Sequence, residues 1–543
     1  MLLTGTHQIN RFERLLAAGY FPKELPPPFN TQSFAASALH FASTWQEGKI
    51  LNFWTKPEVF SVPRHGKARR TVSIVNPVNQ LLVANLVAKH WVEIRNKLNA
   101  SNISEFHPSI RLKGGRAVSG VDYDAVNRKQ VRILTRYGNY VKTDIARFYP
   151  SIYTHAIPWA MYGKAWVKGN LKDPAFKESF ANKLDAAVRS GQEGQTIGIP
   201  IGPDTSRLIA ELVACDVEQV ISAHLSDMDA RAVRYVDDFV VGFSEQESAD
   251  QILSKLATGL YEYELDLNAE KTSIRGANHP PLPDWRHYIR RFTLSESRVK
   301  QREDIDSFFD QAVRLDAGNP RDNVLLYAAR RAASFNVLDA NRHHLFRWLM
   351  YAARLSPSCL IFVVQHLSSE HNSGRSVPKF TIKDFITGLL PTKAEAAHTA
   401  EVAWLLFWAR ELGLSVDSIL LHRVVALRSS VIALLCLDLK QRGLINGSLD
   451  EDHWHSFARI DGLKSEMWLV AYEATKKAWW SKSTKSTFIT THSHFGELWS
   501  KDVRFYDERR KAVPQVGADF FSMLNALKVR RSALEALAAS NYE

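Results

Sequence analysis

Two aspartates stand side by side in Arg234-Tyr235-Val236-Asp237-Asp238-Phe239-Val240-Val241-Gly242. β-Branched and aromatic residues flank them, so the pattern predicts a β-hairpin with acidic residues at its tip. Adjacent negative charges repel unless a cation compensates them, and a hard divalent ion with oxygen ligands is the natural compensator. A solvated Asp-Asp turn is the bland alternative, and the pair alone does not decide between them. A third carboxylate, Asp144, ends the strand-like run Tyr140-Val141-Lys142-Thr143-Asp144 and is followed by the aromatic pair Phe148-Tyr149. Three carboxylates on neighbouring strands are what a two-metal phosphoryl-transfer site needs, one ion activating the attacking oxygen and one stabilising the leaving group.

The elements that must position these acids are legible in outline. Residues 130–142 read as a strand leading to Asp144, and 80–98 and 174–191 read as helices. Basic Arg64, Lys67, Arg69 and Arg70 precede a second strand-like run, Thr71-Val72-Ser73-Ile74-Val75. Between the acidic sites lies Gly198-Ile199-Pro200-Ile201-Gly202-Pro203-Asp204-Thr205-Ser206-Arg207, whose glycines permit close backbone approach to a flat ligand. Asp204 or Thr205 is a helix N-cap, and an apolar-periodic helix follows to about residue 223. Helix and strand alternate from about 60 to 290, which predicts an α+β domain.

After about residue 290 the apolar residues recur at helical spacing, as in 400–412, 421–442 and 465–480, with one short strand expected near 487–491. That predicts an all-α C-terminal domain of stacked helix pairs, helical-repeat-like although no fixed period is found. The expected boundaries are 1–140 for an N-terminal extension and fingers, 141–290 for the catalytic sheet region, and 300–543 for the helical domain. Trp404, Trp408, Trp468, Trp479, Trp480 and Trp499 interleave with Lys476 and Lys477, which suits stacking on single strands or self-association; helix-packing aromatics are the commoner use of such residues.

The 543 residues carry a net charge of +12, which favours a polyanionic partner. Three scattered cysteines, Cys215, Cys359 and Cys436, exclude a disulfide framework or a zinc site and suit a reducing cytosol. No apolar run approaches a membrane span and no signal peptide is evident, so the expectation is a soluble cytoplasmic protein without membrane contact.

Taken in order, these motifs resemble the reverse transcriptases. Asp144 with its aromatic pair looks like the first palm motif, and Gly198-Ile199-Pro200-Ile201-Gly202 looks like the loop that packs on template and incoming nucleotide. Tyr235-Val236-Asp237-Asp238 is similar to the second acidic motif, and Leu265-Asp266-Leu267-Asn268-Ala269-Glu270-Lys271-Thr272 to the next palm motif. The basic segment 64–74 resembles the fingers hairpin. Phe148-Tyr149-Pro150-Ser151-Ile152-Tyr153-Thr154-His155-Ala156-Ile157, the run 198–207 and the segment from Gly19-Tyr20-Phe21-Pro22 to Pro28 together resemble the bacterial abortive-infection and defence-associated group within that family. There a fingers–palm polymerase domain precedes a helical C-terminal domain.

The resemblance implies a right-hand polymerase that makes DNA from dNTPs with two Mg²⁺ ions, Mn²⁺ being a substitute, in resistance to phage. Asp144 and Asp237 would hold both ions, with the Ile145 carbonyl helping one; Asp238 would support the site electrostatically. Lys271 would protonate or neutralise departing pyrophosphate, and Arg70 with Lys67 would hold the triphosphate. Tyr149 would clash with a ribose 2′-hydroxyl, and Gly202 would touch template or nucleotide. Where many reverse transcriptases carry Gln, this chain has Ile201, which cannot hydrogen-bond a base edge; the expectation is weakly templated or low-complexity synthesis. Expected partners are a noncoding RNA as template or scaffold, the DNA product and further copies of the chain. Priming on a protein tyrosine, with Tyr542 one reachable residue, is a variant. The competing functions are an RNA-synthesising palm polymerase and an inactive palm kept as an RNA-binding scaffold.

Overall fold

Alternation of buried Phe60, Val62, Val72 and Ile74 with more exposed residues builds an antiparallel hairpin from β1 (Glu58–Pro63) and β2 (Arg69–Ile74). Its register runs from Glu58 opposite Ile74 to Pro63 opposite Arg69. The computed structural model describes residues 3, 5–120, 122–244, 247–276 and 284–512. Tyr542 lies outside the described residues.

A second, antiparallel sheet has the strand order β4-β5-β3-β6, with β3 (Asn139–Asp144), β4 (Ala230–Tyr235), β5 (Asp238–Phe243) and β6 (Ser273–Gly276). Period-two alternation gives it two distinct faces. Val141, Phe239, Val241 and Phe243 enter the main core, while Tyr140, Val233 and Val240 form a small second core with Ile133 and Tyr137. Ile133 belongs to the helix Tyr123–Leu134, which covers that second face. A Cβ at Gly242 would fall 2.3 Å from Ile133 Cγ2, so glycine is what lets this helix lie flat on β5.

That helix corrects the expected strand over 130–142, because β3 begins only at Asn139. Buried Val126 and Ile133 are seven residues apart, two helical turns, and Asp122 Oδ1 accepts the Ala125 N–H at 3.0 Å to cap the first turn. The other helices fall near their expected places: Pro77–Lys89 and Trp91–Asn99, Phe180–Ser190, and Asp204–His224. Pro203, rather than Asp204, is the N-cap of the last of these. Asp204 is instead buried, accepting from Arg116 at 2.8 Å and from the Val118 N–H at 2.9 Å.

From Arg298 to residue 512 the described chain is helical apart from the short parallel pair Val416–Asp417 and Ile445–Asn446, and consecutive helices pack on one another through Arg298–Gly318, Val324–Ala332, Asp339–Leu355 and Leu360–Asn372. Lys379–Glu395, Thr399–Leu412, Ser430–Gln441 and Trp468–Lys476 continue the stack. Residues 487–490 form a helical turn, correcting the strand expected there. The fold is therefore α+β, with a helical C-terminal part. The two parts do not have separate cores: one apolar cluster runs from Phe12 to Ala512. Thr399–Leu412 is buried all round, with Glu401 and Arg410 as its buried charged residues. Among the described residues no helix is long and apolar enough to cross a membrane.

Candidate active site

The register of the sheet decides where the acids stand. Asp144 is the direct cross-strand partner of Asp238, so both leave the sheet on the same face, beyond the small core capped by Tyr123–Leu134. Tyr235 pairs with Asp238 across the β4–β5 hairpin, leaving Val236 and Asp237 as its two-residue turn. Val236 adopts φ 55°, a left-handed conformation that is strained for a β-branched residue. Two contacts hold it there. Arg234 Nη1 donates to the Val236 carbonyl at 2.6 Å, and the Ile145 N–H donates to the Asp237 carbonyl at 3.0 Å.

Arg234 points to the opposite face of the sheet and is fully buried. Its guanidinium pairs with Glu211 at 2.7 Å and with Glu218 at 3.0 Å, both on the helix Asp204–His224. Ser104 Oγ donates to Glu211 at 2.8 Å. The acidic turn is thereby tied to the longest helix of the palm. The signal for Arg234 in the sequence is an arginine set directly between Val233 and Tyr235 at the acidic tip, which burial forces to find carboxylates.

The segment after β5 returns beside Asp144. The Asn268 N–H donates to the Asp144 carbonyl at 2.8 Å, and the Ala146 N–H to the Asp266 carbonyl at 2.8 Å. This brings Lys271 Nζ into contact with Asp144 Oδ2, while Thr143 and Thr272 share a hydroxyl hydrogen bond of 2.7 Å. The other carboxylate oxygen, Asp144 Oδ1, is buried with no hydrogen-bond partner. Burial, then the neighbouring charges of Asp238 and Asp144, push Asp237 up to about 6, and burial also raises Asp238. An orphaned buried acceptor beside two acids of raised pKa is a donor set that suits a hard cation. As they stand, however, no three carboxylates converge on a common point: among the described residues there is no group of three or more His, Cys, Asp or Glu side chains placed to share an ion. Lys271 holds the charge of Asp144 instead.

Tyr149 follows Phe148 in the short helix Phe148–Ser151, their rings 5.7 Å apart. Its hydroxyl is pushed up by burial and lies within the fields of Arg207, Asp237 and Arg70, so the ring stands between the acids and the fingers hairpin. The loop 198–202 runs against this helix and against β2. The Ile199 N–H donates to the Tyr149 carbonyl at 3.0 Å, and the Ser73 N–H to the Ile201 carbonyl at 2.6 Å. Gly202 has φ 138°, and a Cβ there would meet Pro22 Cγ at 2.7 Å and the Ser73 carbonyl oxygen at 3.0 Å. The close approach that glycine permits here is to Pro22 and to the fingers strand at Ser73.

Arg70 and Lys67 are exposed, whereas Arg69 is engaged. Arg69 grips Glu401 with both terminal nitrogens, at 2.8 and 2.7 Å, and donates from Nε to Ser61 Oγ at 2.7 Å. The stacking role considered for the tryptophans is corrected for most of them. Trp404, Trp408 and Trp468 are fully buried and Trp480 nearly so, because they sit inside the helix stack. Lys476 and Lys477 lie over Trp499 and Trp479 at 4.6 and 5.0 Å, which occupies those cations internally.

Residues 62–287 match the family model of the reverse transcriptase (RNA-dependent DNA polymerase). They form a reverse transcriptase domain. No curated protein matches the chain. Solved structures that resemble it include apo telomerase from Candida tropicalis truncated from its C-terminal domain, at 14% identity and a TM-score of 0.28, covering 42% of this chain and 51% of that one. Telomerase from Candida albicans in complex with a fragment of telomeric RNA matches at 12% identity and TM-score 0.27, over 77% of this chain and 70% of that one. Full apo telomerase from Candida tropicalis matches at 11% identity and TM-score 0.31, over 78% and 77%. The chain spans about half the length of the truncated enzyme, and similarity at this level carries no statement about partners or substrates.

Proposed function

We propose that the reverse transcriptase domain is an active polymerase that extends DNA from dNTPs, with an RNA as template or scaffold, and that it serves defence against phage. The observation that carries the reading is the opposition of Asp144 and Asp238 across β3 and β5, with Asp237 in the adjoining turn, beside Tyr149 and an exposed Arg70.

Asp144 and Asp237, with the Ile145 carbonyl, would hold divalent magnesium, or manganese in its place, and Asp238 would add charge. Such an ion supplies charge compensation for the triphosphate and lowers the pKa of the attacking hydroxyl. The chain's own residues do the rest. Arg70 and Lys67 bind the phosphates, Tyr149 fills the space a 2′-hydroxyl would need, and Lys271 exchanges Asp144 for departing pyrophosphate as its proton donor or counter-ion. Ile201 offers the template base no hydrogen bond, which favours relaxed or low-complexity templating.

The defence role rests on the resemblance of residues 148–157, 198–207 and 19–28 to the abortive-infection group. The charge of +12 suits a noncoding RNA partner. A homo-oligomer and a cytoplasmic location complete this reading.

The test is incorporation of labelled deoxy- and ribonucleotides by the wild type and by Asp237→Ala with Asp238→Ala, together with separate sequencing of copurifying RNA and DNA. Deoxynucleotide incorporation abolished by the double substitution supports the polymerase. A second reading, an inert palm kept as an RNA-binding scaffold, draws on the Lys271–Asp144 pair. Phage protection that survives the double substitution would favour it.

A further inference from the structure

Arg69 and Arg70 are neighbours in β2 and therefore leave the strand on opposite faces. Arg70 shares its face with buried Val72 and Ile74 and lies within the electrostatic reach of Tyr149. Arg69 turns away and is held from the far end of the sequence. Glu401, 1% exposed near the start of the helix Thr399–Leu412, takes it in a two-pronged ion pair of 2.7 and 2.8 Å. Two residues earlier, Thr399 Oγ1 accepts the Ser61 N–H at 2.7 Å, on the outer edge of β1. A third tie joins Glu58 Oε1 to Ser429 Oγ at 2.6 Å, at the start of Ser430–Gln441. The outer edge of β2 is tied to the loop of Gly198 and Gly202 through Ser73. Both edges of the hairpin are thus fastened, one to the palm and the other to the helical part.

We propose that Glu401 is a positioning residue for the incoming nucleotide: by fixing Arg69 it sets the rotation of β2 and so the aim of Arg70 at the triphosphate. The helical C-terminal part is then a working component of the fingers and not an appendage. A bidentate arginine–carboxylate pair suits this role, because its two parallel hydrogen bonds fix orientation as well as distance. The inference rests on the polymerase reading and on Arg70 as the phosphate ligand.

A double-mutant cycle separates the two ideas. In the full-length chain, KM and kcat for dTTP are measured for wild type, Glu401→Gln, Glu401→Ala, Arg70→Ala and Glu401→Ala with Arg70→Ala. Arg70→Ala should raise KM by roughly tenfold, the loss expected for one charge-assisted contact. Glu401→Ala should raise KM several-fold with kcat nearly kept, and should add nothing once Arg70 is gone. Exchanging the partners, Arg69→Glu with Glu401→Arg, should restore KM. If Glu401→Ala fails to fold, Arg69→Lys, which keeps the charge but loses the fork, serves in the same cycle. An unchanged KM in Glu401→Ala, or effects of Glu401→Ala and Arg70→Ala that simply multiply, would overturn the positioning role while leaving the polymerase intact. A wild type that incorporates no dTTP sinks the polymerase reading first, and this inference with it.

Discussion

Asp144 and Asp238 face each other across the β3–β5 ladder, and Lys271 contacts only the first of them. Asp237 and Asp238 are consequently left as acids crowded by burial and by neighbouring carboxylates, with no ion pair to either among the described residues. Their environment makes the charged site a source of instability in the absence of metal.

The Asp237 carboxyl is pushed up to about 6, above the ordinary 3.8, so the fold favours the protonated form. The stability contributed by that proton is complete below about pH 4 and is lost as pH rises through 6. Asp237→Asn should therefore be more stable than wild type in EDTA at pH 8, by about 2–3 kcal/mol, and nearly equal to it at pH 4. Millimolar magnesium should raise the melting temperature of wild type more at pH 8 than at pH 5, and should leave Asp237→Asn nearly unmoved. Thermal melts across pH with and without magnesium check this; a magnesium effect independent of pH would contradict it.

Arg234 carries a separate load. Replacing it by Met strands Glu211 and Glu218 in the interior, for which about 3–5 kcal/mol of destabilisation is expected. Adding Glu211→Gln and Glu218→Gln removes the stranded charges and should return much of that stability. Activity should not return, because Val236 still lacks its donor and the turn bearing Asp237 is free to relax. Urea denaturation and nucleotide incorporation on the same set of variants measure both; stability and activity recovering together would contradict the role assigned to the Val236 contact.

The acids were legible because a period-two apolar pattern around them can be only a strand, and the Tyr-Val-Asp-Asp tip left no room for another turn. The helix Tyr123–Leu134 was not, since Val131, Ile133 and Leu134 read locally as a strand and its helical stripe is thin. Gly202 looked like a ligand contact because the sequence cannot say whether the close approach is to a ligand or to Ser73. The tryptophans left two readings open for a related reason: alternation of aromatic and basic residues is the same on a nucleic-acid groove as on helices that bury the rings, and packing is the use found for most of them. The pair Arg69–Glu401 spans 332 positions and leaves no local trace at all.

Glu58 offers a test of the junction between fingers and helical part. Its carboxyl is fully buried, with Oε2 unpartnered, and burial pushes it up to about 7. A raised acid contributes stability below its unfolded value of 4.5 and loses it as pH rises through 7. Glu58→Gln keeps an oxygen for Ser429 and removes the titration. Its melting temperature should match wild type at pH 4 and exceed it at pH 8.5. A variant less stable than wild type at pH 8.5 would mean that the ionised carboxylate is the stabilising form.

Tyr149 bears on the choice of sugar. Its backbone is fixed by the Ile199 N–H, and its ring packs edge-on to Phe148, so the side chain cannot withdraw without moving the loop of Gly198. Shortening it to Val leaves these backbone bonds intact and opens the space beside Asp237. The discrimination for dNTP over rNTP, taken as the ratio of kcat/KM values, should fall by about 10- to 100-fold, the 1.4–2.8 kcal/mol that a steric exclusion of one hydroxyl supplies. The fall should come from a gain on ribonucleotides, with deoxynucleotide incorporation changing by only a few-fold. If both substrates lose activity alike, Tyr149 is packing for the palm and sugar selection lies elsewhere; if ribonucleotides alone improve, the ring is the gate.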